Sequence, residues 1–248
     1  METQGREMKN LGTYQYLLPV RSILFLLIFW VFAFITDRKV GEISNYWSVI
    51  AVYVNIVIIA VLVILTKKDN SNYLALINYR KGQTGIKKTI ITSAILAAIG
   101  MSGMYLSGLI CYGSLMPAVS LKMIAPIPKP LAVINIILLP VTTTFAEDGL
   151  YLGGGVGHIK NKYLAIIIPA FFYALQHCFI PTLFDIKYMI YRFVSFLPLT
   201  VIFCIYFRNK KEPLPIMISH TLLDFATAIS IFATSLIPGA YEKMNTMI

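Results

Sequence analysis

The sequence predicts an all-α protein, a polytopic transmembrane helix bundle of about seven helices, with six to eight as the range. Two observations carry that reading. Of the 248 residues, 58% are hydrophobic and 13% charged, with a mean hydropathy of +0.75, whereas a soluble domain is about 25% charged and about 45–50% apolar. The apolar residues also fall in runs of about 17 to 25, the length a helix needs to cross a hydrocarbon core of about 30 Å. These runs lack the period-two alternation of a membrane barrel. Fifteen Tyr, 15 Phe and two Trp, without low-complexity tracts, exclude a disordered chain. Cys111, Cys178 and Cys204 are odd in number and each lies in an apolar run, so they read as reduced and buried, not as a disulfide framework.

In chain order, the runs cover approximately 18–35, 46–65, 89–112, 130–150, 163–179, 191–207 and 216–237. The first follows Arg6 and Lys9, as a signal peptide would. It ends Phe-Ala-Phe-Ile-Thr-Asp without a small-residue cleavage site, and so reads as a retained anchor. With the N-terminus in the cytoplasm of a bacterial cell, the inside segments hold 14 basic residues and the outside segments 7, the bias expected of inside loops. The net charge of +10 therefore follows from topology, and the partner it implies is the lipid bilayer and no nucleic acid. The stretch 66–88 is the longest polar loop, and Pro-Ile-Pro-Lys-Pro at 126–130 is a stiff, non-helical lead into the fourth span. Neither marks a domain boundary: the chain reads as one membrane domain, with scaffold helices over 1–125 and a site-bearing core over 130–230. No repeat of 20 to 50 residues is present, which weakens a transporter built from inverted repeats.

Charged groups inside a bilayer cost about 2.5–3.5 kcal/mol each on insertion scales, so each is a functional candidate. The first three spans carry only Arg21, near enough to an end to snorkel; the last four carry Glu147, Asp148, His177, Arg192, His220 and Asp224. Three clusters result. Glu147 and Asp148 are adjacent carboxylates that either share a proton or face a cation or metal. They precede Gly149, Gly153, Gly154, Gly155 and Gly157, which permit an unwound turn or close packing of helices. Tyr173 and His177 lie four residues apart on one helix face, although a lone histidine in an apolar helix is most often a packing residue. His220 and Asp224 share a face at i, i+4, about 6 Å apart in rise. That is how a metal pair, or a histidine and its orienting carboxylate, is built on a helix, and a private structural hydrogen bond uses the same spacing. Together the clusters supply a general base and a ligand set for water activation.

The order of these clusters, an acidic pair, then aromatic-x-x-x-His, then His-x-x-x-Asp/Asn, resembles the CPBP family (CAAX protease and bacteriocin-processing, also called Abi). The family's Glu-Glu-x-x-x-Arg motif is occupied by Glu147, Asp148 and, at the Arg position, Leu152; its Phe-x-x-x-His is matched by Tyr173 and His177, and its third motif by His220 and Asp224. The resemblance covers about 130–230. It implies an intramembrane metalloendopeptidase acting on a membrane-associated peptide or protein near the cytoplasmic face. Glu147 would activate the attacking water, His177 and His220 would bind a divalent metal or stabilise the oxyanion, and Asp148 and Asp224 would support the site. Zinc suits a ligand set of His177, His220, Glu147 and Asp224; a metal-free, Glu-activated water fits the same residues. Leu152 departs from the motif, so Asp148 loses its expected bidentate partner unless another cation, such as Arg192, replaces it. His158, after the glycines, reads as an interfacial loop histidine and an alternative ligand. The rivals are a non-catalytic relative serving as a membrane immunity or regulatory protein, and a proton- or metal-coupled transporter.

Overall fold

The computed structural model describes residues 11–181 and 184–246. Six helical stretches are long and apolar enough to cross a membrane: Gly12–Thr36, Val40–Lys68, Ile86–Tyr112, Lys129–Val156, Ile186–Lys210 and Leu214–Leu236. A shorter apolar stretch covers Leu164–Phe179. Each coincides with one of the seven runs, and no strand occurs among the described residues. The protein is an integral, multi-pass membrane protein. We label the seven α1 (Leu11–Thr36), α2 (Trp47–Lys68), α3 (Ile86–Tyr112), α4 (Lys129–Glu147), α5 (Leu164–Leu175), α6 (Ile186–Lys210) and α7 (Leu214–Leu236). Large apolar side chains such as Phe34, Ile86 and Ile137 are exposed on the outer faces of the helices, as expected where the solvent is lipid.

α4 packs between α2 and α7, while α6 packs against α3 and α5. Small residues let these helices approach. A Cβ added at Gly103 of α3 would stand 2.5 Å from the Ser195 carbonyl oxygen of α6, and the Ser107 and Ser195 hydroxyls hydrogen-bond at 2.5 Å across the same contact. Pro128 and Pro130 precede and open α4, where a missing N–H costs nothing.

The helix of α4 does not stop at the acidic pair. It widens into a π-helix over Asp148–Val156, which closes with Gly157 donating to the Leu152 carbonyl, five residues back, at 2.8 Å. Arg208 of α6 finishes it, donating to the carbonyls of Val156 and Ile159 at 3.3 and 3.4 Å. Among the readings of the glycines, close packing is the one observed. The long polar loop contains a short helix, Tyr73–Leu76, capped by Asn72, and it lies directly on the π-helix. A Cβ at Gly149 would meet the Tyr73 hydroxyl at 2.6 Å, and one at Gly153 would meet Leu76 at 2.9 Å.

Candidate active site

Glu147 and Asp148 are both buried. Adjacent helical residues point about 100° apart, so they meet different partners. Glu147 Oε1 takes an ion pair from Arg21 Nη1 at 2.9 Å. Its Oε2 is buried without a hydrogen-bond partner among the described residues and stands 3.7 Å from His220 Nε2 and 3.9 Å from His177 Nε2. Asp148 Oδ1 accepts from the Tyr173 hydroxyl at 2.8 Å and lies 3.3 Å from His220 Nδ1. Asp224 Oδ2 approaches His220 Nε2 at 3.4 Å from one turn along α7. The structure therefore brings Glu147, Asp148, Tyr173, His177, His220 and Asp224 into one cluster.

The two imidazoles are held differently. His177 Nδ1 faces the Tyr173 carbonyl at 2.9 Å and must donate to it, which leaves the Nε2 lone pair turned toward Glu147. Its ring stacks on Phe196 with centroids 3.5 Å apart. His220 has a carboxylate against each nitrogen, Asp148 at Nδ1 and Asp224 and Glu147 at Nε2. The Tyr173 hydroxyl also lies 3.0 Å from Nδ1. A cavity of about 60 Å³ opens beside these groups between α3, α6 and α7, lined by Tyr173, His177, His220 and Asp224 and by apolar residues including Leu199 and Phe203. It has room for water.

Three expectations need correction. Arg21 does not snorkel: it is fully buried, because a ring of acceptors replaces the water its guanidinium would otherwise seek. Besides Glu147, it donates to Gln176 Oε1 and to Asn55 Oδ1. Arg192 does not compensate for Leu152; its Nε donates to the His177 carbonyl at 3.4 Å and its guanidinium lies over Phe196. The partner Asp148 gains is the Tyr173 hydroxyl, at the position where the family motif has Phe. Finally, Glu147 is not at the end of its span. The nine-residue π-helix continues past it, placing it inside the span, and this lets it meet His177, about 20 Å beyond the start of α5.

His158 joins no part of the cluster. Its Nδ1 faces the Gly153 carbonyl at 2.8 Å and its ring stacks on Tyr14; burial pushes the imidazole below its ordinary range, against the pull of that carbonyl. The expected ligands His177, His220, Glu147 and Asp224 have the right chemistry for a metal. A tetrahedral ion nevertheless needs its donors to converge at about 2 Å from one point, and among the described residues no group of three or more His, Cys, Asp or Glu side chains is so arranged.

Arg21, Asn55 and Gln176 were missed by the motif reading. Their signal is the ordinary one, a polar side chain within an apolar run, but Arg21 lies near enough to a span end to snorkel and the two amides carry no charge.

Fold and cluster define a class: a membrane helix bundle enclosing a histidine–carboxylate centre beside a cavity. Residues 129–226 match the family model described as Rce1-like, type II CAAX prenyl endopeptidase. The matched segment carries all three motifs and bears out the resemblance to the CPBP family that they imply. No curated protein and no solved structure matches the chain.

Proposed function

We propose that the protein hydrolyses a peptide bond of a membrane-associated substrate, with Glu147 as the base for the attacking water. One observation carries this reading: a buried carboxylate oxygen, Glu147 Oε2, lacks a hydrogen-bond partner among the described residues and faces two imidazole nitrogens beside a cavity. A buried, unpaired oxygen of this kind costs about 1–3 kcal/mol, which a water or a substrate would offset. In the reaction, a water donates one proton toward Glu147 Oε2 and the other toward the His177 Nε2 lone pair. As its oxygen attacks the scissile carbonyl, Glu147 takes the proton and later delivers it to the leaving amine. His220, flanked by carboxylates on both nitrogens, presents Nε2–H to the oxyanion, and Asp224 holds that edge of the ring. The apolar walls keep the local dielectric low, which strengthens each of these interactions. Tyr173 and Asp148 fix the opposite edge of His220.

The loop charges favour a cytoplasmic N-terminus, and a bacterial cell membrane is the location we propose. A divalent metal, zinc first among them, remains a proposal for the same side chains, and the scheme above routes no step through it. Purified protein in detergent, incubated with a farnesylated CAAX-type peptide, is expected to release the C-terminal tripeptide, and E147Q is expected to abolish release. Intact peptide with wild type, under conditions where the protein stays folded, refutes the reading. One observation favours a second reading, a non-catalytic immunity or regulatory relative: Leu152 stands where the motif has Arg. A biological effect that survives E147Q would support it.

A further inference from the structure

The matched segment begins at 129, yet one of the nearest neighbours of Glu147 comes from α1. We propose that Arg21 is the positioning residue of the catalytic glutamate: it takes Glu147 Oε1, leaves Oε2 as the reacting oxygen, and so makes the N-terminal helix a required part of the active site. The proposal rests on the peptidase reading above and concerns how that site is held.

The geometry has three parts. Arg21 is fully buried and its Nη1 pairs with Glu147 Oε1 at 2.9 Å. A buried guanidinium in a membrane helix is costly, and here its partners come from three other helical segments: Glu147 at the end of α4, Asn55 of α2, and Gln176 in the turn after α5. Those partners are themselves fixed. Asn55 Nδ2 donates to the hydroxyls of Thr142 and Thr143 at 3.3 and 2.9 Å, so its Oδ1 must face Arg21. Gln176 Oε1 also accepts from the Tyr151 hydroxyl at 3.1 Å. The loop closes on α4, which carries Thr142, Thr143 and Glu147 alike. A guanidinium held on several sides cannot follow a carboxylate that rotates, so it dictates which oxygen reaches the histidines.

This also accounts for the tolerance of Leu152. The motif arginine is missing from the π-helix, but a guanidinium reaches the acidic pair from α1, binding Glu147, while the Tyr173 hydroxyl serves Asp148.

The test uses full-length protein in detergent, with wild type, R21M, R21K, E147Q and R21M/E147Q. On the farnesylated CAAX-type peptide, R21M is expected to lose at least 100-fold in kcat with KM within threefold, and R21K to recover part of that loss. A wild-type kcat in R21M overturns the proposal. A thermal-unfolding cycle on the same variants needs no substrate: R21M should lower Tm, and adding E147Q to it should restore much of the loss, because the stranded carboxylate is then gone. Additive Tm changes overturn the pairing. A wild type that cleaves nothing overturns the peptidase reading, while the thermal cycle still decides whether Arg21 holds Glu147.

Discussion

Replacing Tyr173 with Phe gives the residue found in the family motif at that position and removes one oxygen atom. The ring is retained, and with it the stack on Tyr151, whose centroid lies 4.6 Å away at 17°, so apolar packing changes little. The Tyr173 hydroxyl is lost from Asp148 Oδ1 at 2.8 Å and from His220 Nδ1 at 3.0 Å. Asp148 then keeps only the 3.3 Å approach of His220, since its Oδ2 has no hydrogen-bond partner among the described residues. A hydrogen bond to a charged group contributes about 1.5–3 kcal/mol, and at about 2–4 °C per kcal/mol for a chain of this size the expected fall in Tm is about 3–12 °C. The charge is what makes the bond strong, so in the D148N background the same Y173F change should cost only about 0.5–1.5 kcal/mol. Unfolding in detergent of Y173F, D148N and the double variant measures the coupling directly. An unchanged Tm in Y173F, or the same loss with and without D148N, refutes the claim that this hydroxyl stands in for the missing arginine.

Other outcomes follow from the same geometry. G103A should destabilise by about 1–3 kcal/mol, read as a lowered Tm, because its Cβ would sit 2.5 Å from a backbone oxygen of α6 and the helices must part. H158Q should flatten the acid side of the stability profile. Burial lowers the folded-state pKa of His158, so its contribution is complete above about 6.5 and is lost as pH falls through the folded value. Tm in wild type should therefore drop between pH 7.5 and pH 5 by more than in H158Q. Dialysis against a chelator separates the two proposals for the site: loss of peptide cleavage restored by added zinc assigns a metal to His177, His220, Glu147 and Asp224, whereas persistent cleavage assigns the water to Glu147 without one.

The fold was legible because membrane insertion imposes a length and a composition on each element separately, and all seven runs were found with ends shifted by a few residues. The cluster itself was legible for a related reason. Charges in apolar runs are costly enough that Glu147, Asp148, His177, His220 and Asp224 stood out before any packing was known. What escaped was pairwise. Whether Arg21 reaches water or an anion depends on Asn55 and Gln176, which lie 34 and 155 residues away in sequence. The π-helix escaped as well: a run ending in Glu-Asp and then glycines looks like the end of a span. It is instead a widened turn pressed against Tyr73, Leu76, Tyr14 and Pro169, elements whose approach only the tertiary fold reveals.

The acidic pair shows why two adjacent carboxylates can be buried together. Side by side in one environment they would compete for a single proton. Set about 100° apart on a helix, they use separate compensating groups, Arg21 for Glu147 and the Tyr173 hydroxyl for Asp148. His220 then lies between them, with Asp148 at one nitrogen and Glu147 at the other. Adjacency in sequence becomes opposition in space: one carboxylate holds the ring from behind while the other faces its front edge. On this account the two acids are not interchangeable. D148E, one methylene longer, should push His220 toward Glu147 and alter kcat without abolishing it, whereas E147D withdraws Oε2 from the water and should remove cleavage altogether. Equal losses in the two variants would mean that the pair acts as one acidic unit and that the division of roles is wrong.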